Sequence, residues 1–456
     1  MCYLLNFIRG HSRPFAVLLF SNSLAFSAEP LPLSTSYWND PAFLNSFNGS
    51  YRIEARIEPT LTTEQRGLLV EVQTLMATGK RDSALAKLKS SPLTAKSPAL
   101  TFNLGNLYFE TGEIEQAAEA YQAALKDFPS FRRAHKNLAL AHIRSDELEK
   151  ALEHLTEAVR LGDSDGSTYG MLGFCRLTRE EYASALQSYR LAQVTEPNVA
   201  EWKAGIAQCL QVLDAKDEAA ALLDEVVRSR PTEASYAVLL ANLRLDLGQP
   251  DLAAKALELP HRLGNLPPDP TLLLAELHLR ADRKPAAEPV IASAFFSEQN
   301  PPTEAAILRL ITTVSSLADW PLVKDLLGKA KQENPTRPLR LATASYLIAS
   351  SENPAEGEKQ LTALTQEDPT DGQAILALAQ HLADTARPDA AALLLERAAA
   401  DPSVAYEAHI ALCRIQVSQS RYADALKSID SALALNSTET LRTYREALQN
   451  ALEASQ

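Results

Sequence analysis

The sequence predicts an all-α chain, a solenoid of antiparallel helix pairs, and three observations predict it. Composition is the first: 46% hydrophobic residues with only 16 glycines, and abundant Ala and Leu, favour helix over sheet and oppose wholesale disorder. Length is the second, because 456 residues exceed what one compact core organises unless the chain repeats itself. The third is the repeat: segments closing near Pro129, Pro197 and Pro231 carry one pattern at a period of 34 residues.

Residues 1–28 hold Arg9 and Arg13 but no Asp or Glu, then an apolar run from Phe15 to Phe20 and the small-residue stretch SNSLAFSAEP. This reads as a secretory signal peptide with cleavage between Ala25 and Glu29, and hence a periplasmic or secreted chain. The alternative is a frayed cytoplasmic N-terminus with a chance apolar run. The apolar core is too short to span a bilayer as a helix, so no stable membrane insertion is expected after cleavage. Residues 29–64 form an aromatic-rich lead-in with Tyr37, Trp38, Phe43, Phe47 and Tyr51. Such a density is either buried against the first repeats or a docking segment for a partner.

The repeats follow in order. A degenerate unit spans roughly Gln65 to Ser97, with Gly79, Ala84 and Leu88 in register. In the clearest unit Leu104, Gly105 and Tyr108 share one helix, Ala117, Tyr121 and Ala124 the next, and Pro129 ends it. Gly or Ala at the crossing lets two helices approach, and Tyr or Leu fills the groove beside it. The frame continues through Leu138, Ala139, Ala151 and Ala158, then Leu172, Gly173, Ala185, Tyr189 and Ala192, then Ile206, Ala207, Ala219 and Leu223. These make a first block at 65–259. Residues 260–302, with Pro267, Pro268, Pro270, Pro285 and Pro289, form an irregular repeat or hinge. A two-residue shift restores the frame at Leu310, Val323 and Leu327, opening a second block at 303–439. Residues 440–456, ending in LRTYREALQNALEASQ, read as a capping helix.

This pattern resembles the tetratricopeptide repeat (TPR) family over most of the chain, with about eleven units. The resemblance implies a right-handed superhelix whose first helices line an inner groove that holds proteins or peptides. By the same resemblance, groove candidates are Phe102, Asn106 and Phe109 from one unit and Arg133, Lys136, Asn137 and Arg144 from the next. Asn106 and Asn137 match positions that grip the backbone of an extended peptide. A terminal-carboxylate clamp is not supported, because its positions carry Phe102, Ser167 and Met171. The other reading of Arg133, Lys136 and Arg144 is a solvated helix face. More narrowly, the aromatic lead-in with GSY and IEP ahead of the repeats is similar to exported bacterial TPR proteins described as components of TonB energy-transduction systems.

Chemistry is sparse. A formal charge of −13, from 44 Lys and Arg against 57 Asp and Glu, offers no footprint for nucleic acid. No HExxH, glycine-rich phosphate loop or GxSxG occurs in the sequence, so neither an enzyme nor a cofactor or metal site is expected. His135 and His142 lie at packing positions of the repeat. Cys175 and Cys209 are equivalent in adjacent repeats and too far apart for a disulfide. The expected function is a non-catalytic protein-binding scaffold of the periplasm, within a TonB-type system. The alternative is an accessory factor for polysaccharide processing or secretion, with a glycan in the groove.

Overall fold

A computed structural model describes residues 58–296, 300–330 and 334–455; the signal peptide and the five aromatics Tyr37 to Tyr51 lie outside them. The described residues are helical throughout and contain no strand. The chain divides into two compact units that meet in sequence between Asn265 and Leu266.

The first unit holds α1 (Thr63–Ala77), α2 (Arg81–Ser90), α3 (Pro98–Thr111), α4 (Ile114–Asp127), α5 (Arg132–Arg144), α6 (Leu148–Arg160), α7 (Gly166–Thr178), α8 (Tyr182–Thr195), α9 (Ala200–Val212), α10 (Lys216–Ser229), α11 (Ala234–Asp246) and α12 (Pro250–Arg262). The second holds α13 (Pro268–Arg280), α14 (Lys284–Ala294), α15 (Glu304–Ser316), α16 (Trp320–Lys329), α17 (Arg337–Ala349), α18 (Pro354–Glu367), α19 (Gly372–Asp384), α20 (Pro388–Ala398), α21 (Ala405–Ser418), α22 (Tyr422–Leu435) and α23 (Glu439–Ser455). Prolines in the stretch 260–302 mostly open helices there: Pro268 and Pro285 occupy first-turn positions of α13 and α14, where a missing N–H costs nothing. Pro260 and Pro289 lie inside α12 and α14.

In the first unit each first helix packs on the second helix of its own pair and on that of the preceding pair. Consecutive first helices also touch, α3 to α5, α5 to α7 and α7 to α9, so they form an inner row and bury more of their surface. Nine residues of α5 are buried, compared with four of α6. The packing rests on the expected small-against-large contact. A Cβ added at Gly173 would lie 2.7 Å from the Tyr189 ring, and one at Gly205, in the following pair, 2.4 Å from the same ring. Tyr189 is thereby held between two repeats, at their closest approach.

The turn inside each pair is also repeated. Gly112, Asp146, Glu180, Asp214, Gly248 and Asp282 have positive φ at intervals of 34 residues, and Ala318, Ser351, Ala386 and Ser420 continue the series. At these turns, the one at Ser351 excepted, the next residue donates its N–H to a carbonyl five residues back, as from Glu113 to Tyr108 at 2.8 Å and from Glu181 to Arg176 at 2.9 Å. This left-handed stop satisfies the orphan carbonyls of the first helix and turns the chain into the second.

In the second unit, the two-residue insertion falls in the connection between α14 and α15. Here α13 packs on α15 directly as well as on its own partner α14. The fully buried carboxylate of Glu276 sits at the contact of α13 with α15, accepting from Arg280 Nη2 at 2.8 Å, Arg309 Nε at 3.0 Å and Thr313 Oγ1 at 2.9 Å. Such a charge is tolerated because both of its oxygens are paired. At the end of this unit α23 covers α22, burying Leu441, Tyr444 and Leu448 beside Ile429 and Leu426.

Two substitutions of the same size should act in opposite directions. Gly205→Ala forces Tyr189 to move and is expected to cost about 1–3 kcal/mol. Ala318→Gly relieves a left-handed alanine at φ 57 and is expected to gain about 0.5–1 kcal/mol. Urea unfolding of the two variants checks both; equal effects would overturn the assignment of strain.

Candidate functional site

The inner row at α3, α5 and α7 carries the candidates expected from the sequence, and the structure sorts them by what already occupies them. Phe102 is 1% exposed, its ring 4.8 Å from that of Phe131 and 5.6 Å from that of Tyr121. It is core, because the inner row is walled by the second helices on both sides, and it offers no face to a ligand. Asn106 and Asn137 are also buried. Asn106 Oδ1 accepts from Tyr121 Oη and from Asn137 Nδ2, both at 2.9 Å. Their shared bond ties adjacent repeats and already engages the Asn106 carbonyl oxygen and the Asn137 amide nitrogen. Burial holds the Tyr121 hydroxyl well above its ordinary pKa, keeping it a neutral donor to this network.

The three cations of α5 end differently. Lys136 is buried and bonds Asp165 Oδ2 at 2.9 Å, at the entrance of α7. Burial alone would raise the Asp165 carboxyl, but the Lys136 charge and hydrogen bond outweigh it and hold it low. Arg133, near the first turn of α5, lies 5.5 Å over Phe102 and 5.9 Å over Phe131. Its Nε and Nη2 donate to Oε2 of Glu58 at 2.9 and 2.8 Å. Arg144 is exposed, its guanidinium 5.4 Å over the half-buried ring of Phe109. Of the seven candidates, Arg133, Phe109 and Arg144 thus remain at the surface of the row. Glu58 and Phe131 belong to the same place, and sequence reasoning misses them; no periodic signal marks an acid that pairs 75 residues along the chain.

Behind α5 lies a histidine cluster. His135 and His154 face each other with their Nδ1 atoms 3.0 Å apart, one donating to the other, while His135 Nε2 bonds the Pro129 carbonyl oxygen at 2.9 Å. His142 stacks on His154 with centroids 5.7 Å apart, and its Nδ1 pairs with Glu147 Oε2 at 2.5 Å. Both sequence-marked histidines therefore pack the repeat, with His154 as an added member. Among the described residues no group of His, Cys, Asp and Glu has the arrangement of a metal site. Cys175, Cys209 and Cys413 are free and buried, and burial pushes each thiol up to about 12. No helix among the described residues is long and apolar enough to cross a membrane.

A tetratricopeptide repeat model matches residues 102–166 and 376–440. Hsp70-Hsp90 organizing protein 3 of Arabidopsis thaliana is 23% identical over 142 residues, 31% of this chain and 25% of that protein. A DnaJ homolog subfamily C member 7 homolog of Dictyostelium discoideum is 25% identical over 108 residues, 23% of this chain and 20% of that protein. The chain thus spans about a quarter or less of the length of these curated relatives. Among solved structures, a tetratricopeptide repeat protein from Parabacteroides merdae is 18% identical, with 55% of this chain and 98% of that one covered and a TM-score of 0.40. PilF of Pseudomonas aeruginosa is 20% identical, with 43% and 88% covered and a TM-score of 0.38. The chain thus carries tetratricopeptide repeats at 102–166 and 376–440, and its described residues are all helical, arranged as successive helix pairs of the kind that builds a TPR solenoid.

The histidine cluster generates a pH dependence. Burial, then the charges of His135 and His142, holds His154 down at about 4, and burial outweighs Glu147 in lowering His142. Both groups are neutral when folded but take up protons near the ordinary imidazole value when unfolded. Their contribution is therefore complete above about pH 6.5 and lost as pH falls from there toward 4. Between about pH 7 and about pH 5 the wild type should lose about 1–2 kcal/mol more stability than His154→Gln. Urea titrations at the two pH values check this, and parallel losses would overturn it.

Proposed function

We propose that this TPR chain is a non-catalytic scaffold that holds a partner protein or extended peptide along its inner row of first helices. One observation carries the reading: in a chain of net charge −13, α5 places Arg133 and Arg144 at the surface of that row, each set over aromatic rings. Cations held in place on apolar rings lose little freedom on binding and suit an acidic partner surface. The named activity of the Hsp70-Hsp90 organizing relatives, arranging other proteins, agrees with such a role. Their likeness does not bring a terminal-carboxylate clamp, since Ser167 and Met171 at those positions are 3% and 0% exposed.

The setting belongs to the same proposal. The leader at residues 1–28 supports export to the bacterial periplasm, and the aromatic lead-in supports a place beside a TonB-type energy-transducing complex; both rest on residues outside those described. The glycan alternative loses its stacking platform on this row, because Phe102 is core and Phe109 is covered by Arg144.

Affinity capture from an envelope extract tests the reading. The full chain should retain a specific protein, and Arg144→Glu, at an exposed side chain, should reduce its recovery about tenfold. Recovery of no specific protein, or recovery indifferent to Arg144, would sink it.

A further inference from the structure

Three imidazoles meet where α5 packs on α6, and their hydrogen bonds fix which nitrogen of each carries the proton. The Pro129 carbonyl can only accept, so His135 donates to it from Nε2, and Nδ1 of the neutral ring is left as an acceptor. The facing Nδ1 of His154, 3.0 Å away, is therefore the donor. His142 donates from Nδ1 to Glu147 Oε2, and its Nε2 is buried with no hydrogen-bond partner. This arrangement suits neutral rings. A second proton on His135 sets two N–H groups head to head across 3.0 Å, and one on His142 buries an N–H with nothing to accept it. A proton on Nε2 of His154 breaks neither bond, but it places a cation with its ring centroid 5.2 and 5.7 Å from those of the other two.

The surrounding charges do not offset this. Glu147, in the turn before α6, is shared between His142 and Lys150, whose Nζ lies 2.7 Å from Oε1. Glu157 of α6 is taken up by both arms of Arg160. The helices α3, α4 and α7 pack on the same pair and bring no charge that moves His142 or His154.

We propose that His135, His142 and His154 form an acid-labile latch between α5 and α6, which part locally, ahead of the rest of the first unit, when the cluster takes up protons. A solenoid permits this, because each pair is held only by its neighbours and one contact can open without the others. From α7 to α10 the chain contains no histidine, so nothing comparable acts there. The latch also regulates the proposed binding row: Arg144 ends α5, and a parted α5 no longer holds it in place. That last step rests on the scaffold reading, whereas the latch itself does not.

Hydrogen exchange of the full chain at pH 7 and pH 5, read by mass spectrometry as protection factors, tests the latch. Opened rings return to the ordinary imidazole range, so a ring held at about 4 when closed favours opening about tenfold or more over that interval. Protection of α5 and α6 should fall by about that factor, and protection of α9 and α10 by less than about twofold. His154→Gln should bring the two pairs to within about threefold of each other. An equal change in both pairs of the wild type, or a difference undiminished in His154→Gln, overturns the proposal. The first comparison needs no variant, so it decides the matter even where His154→Gln fails to fold. Affinity capture tests the link to the row: the wild type should lose about tenfold of its captured protein between pH 7 and pH 5, and His154→Gln less. Recovery that ignores pH while α5 and α6 open removes that link. No captured protein at either pH removes the scaffold reading, and the exchange result still decides the latch.

Discussion

Everything in the array depends on how closely one helix pair can approach the next. Tyr189 fills the space left by Gly173 in its own pair and by Gly205 in the following one, so the absence of two side chains makes room for one large ring. A pair of such helices cannot bury its apolar face alone, and stability comes from covering it with a neighbour. Widening that contact by one carbon would open the interface along its length, since interiors are packed too densely to absorb the change.

The approach is useful only if each pair is bent at the same place, and the left-handed residues inside the pairs enforce this. Their spacing of 34 residues from Gly112 to Asp282 keeps every first helix in the same relation to its second helix. Most of these positions are not glycine. Asp, Glu, Ala and Ser accept the strained conformation there because the surrounding turn bonds and buried helices over-determine it. Where the spacing stretches, between Asp282 and Ala318, a buried carboxylate with two arginines joins the contact between the first helices α13 and α15.

The inner row that results is neither bare nor generic. Its polar groups are largely spent on one another: Asn106 with Tyr121 and Asn137, Lys136 with Asp165, Arg133 with Glu58. Several of these bonds cross between repeats, so they hold the row in one geometry while removing groups from service to a ligand. What stays at the surface is a guanidinium on an aromatic ring, a weakly hydrated cation already fixed in place.

The repeat was legible in the sequence because small and large residues recur with the helical period and the 34-residue spacing, and that recurrence determines helix, pairing and stacking order. Leu104, Gly105 and Tyr121, or Leu172, Gly173 and Tyr189, can be placed against one another without coordinates. The capping helix was legible for the same reason, from the amphipathic spacing of Leu441, Tyr444 and Leu448. The candidate site was legible only as a row of positions. Which of its members face a ligand depends on contacts between residues far apart in the chain: burial of Phe102 by Phe131, the shared bond of Asn106 and Asn137, and above all the reach of Glu58 to Arg133. By itself the sequence determined the local period and therefore the fold; only the tertiary structure decided which charges are paired and which remain available, because pairing is set by distance in space and leaves no mark in spacing along the chain.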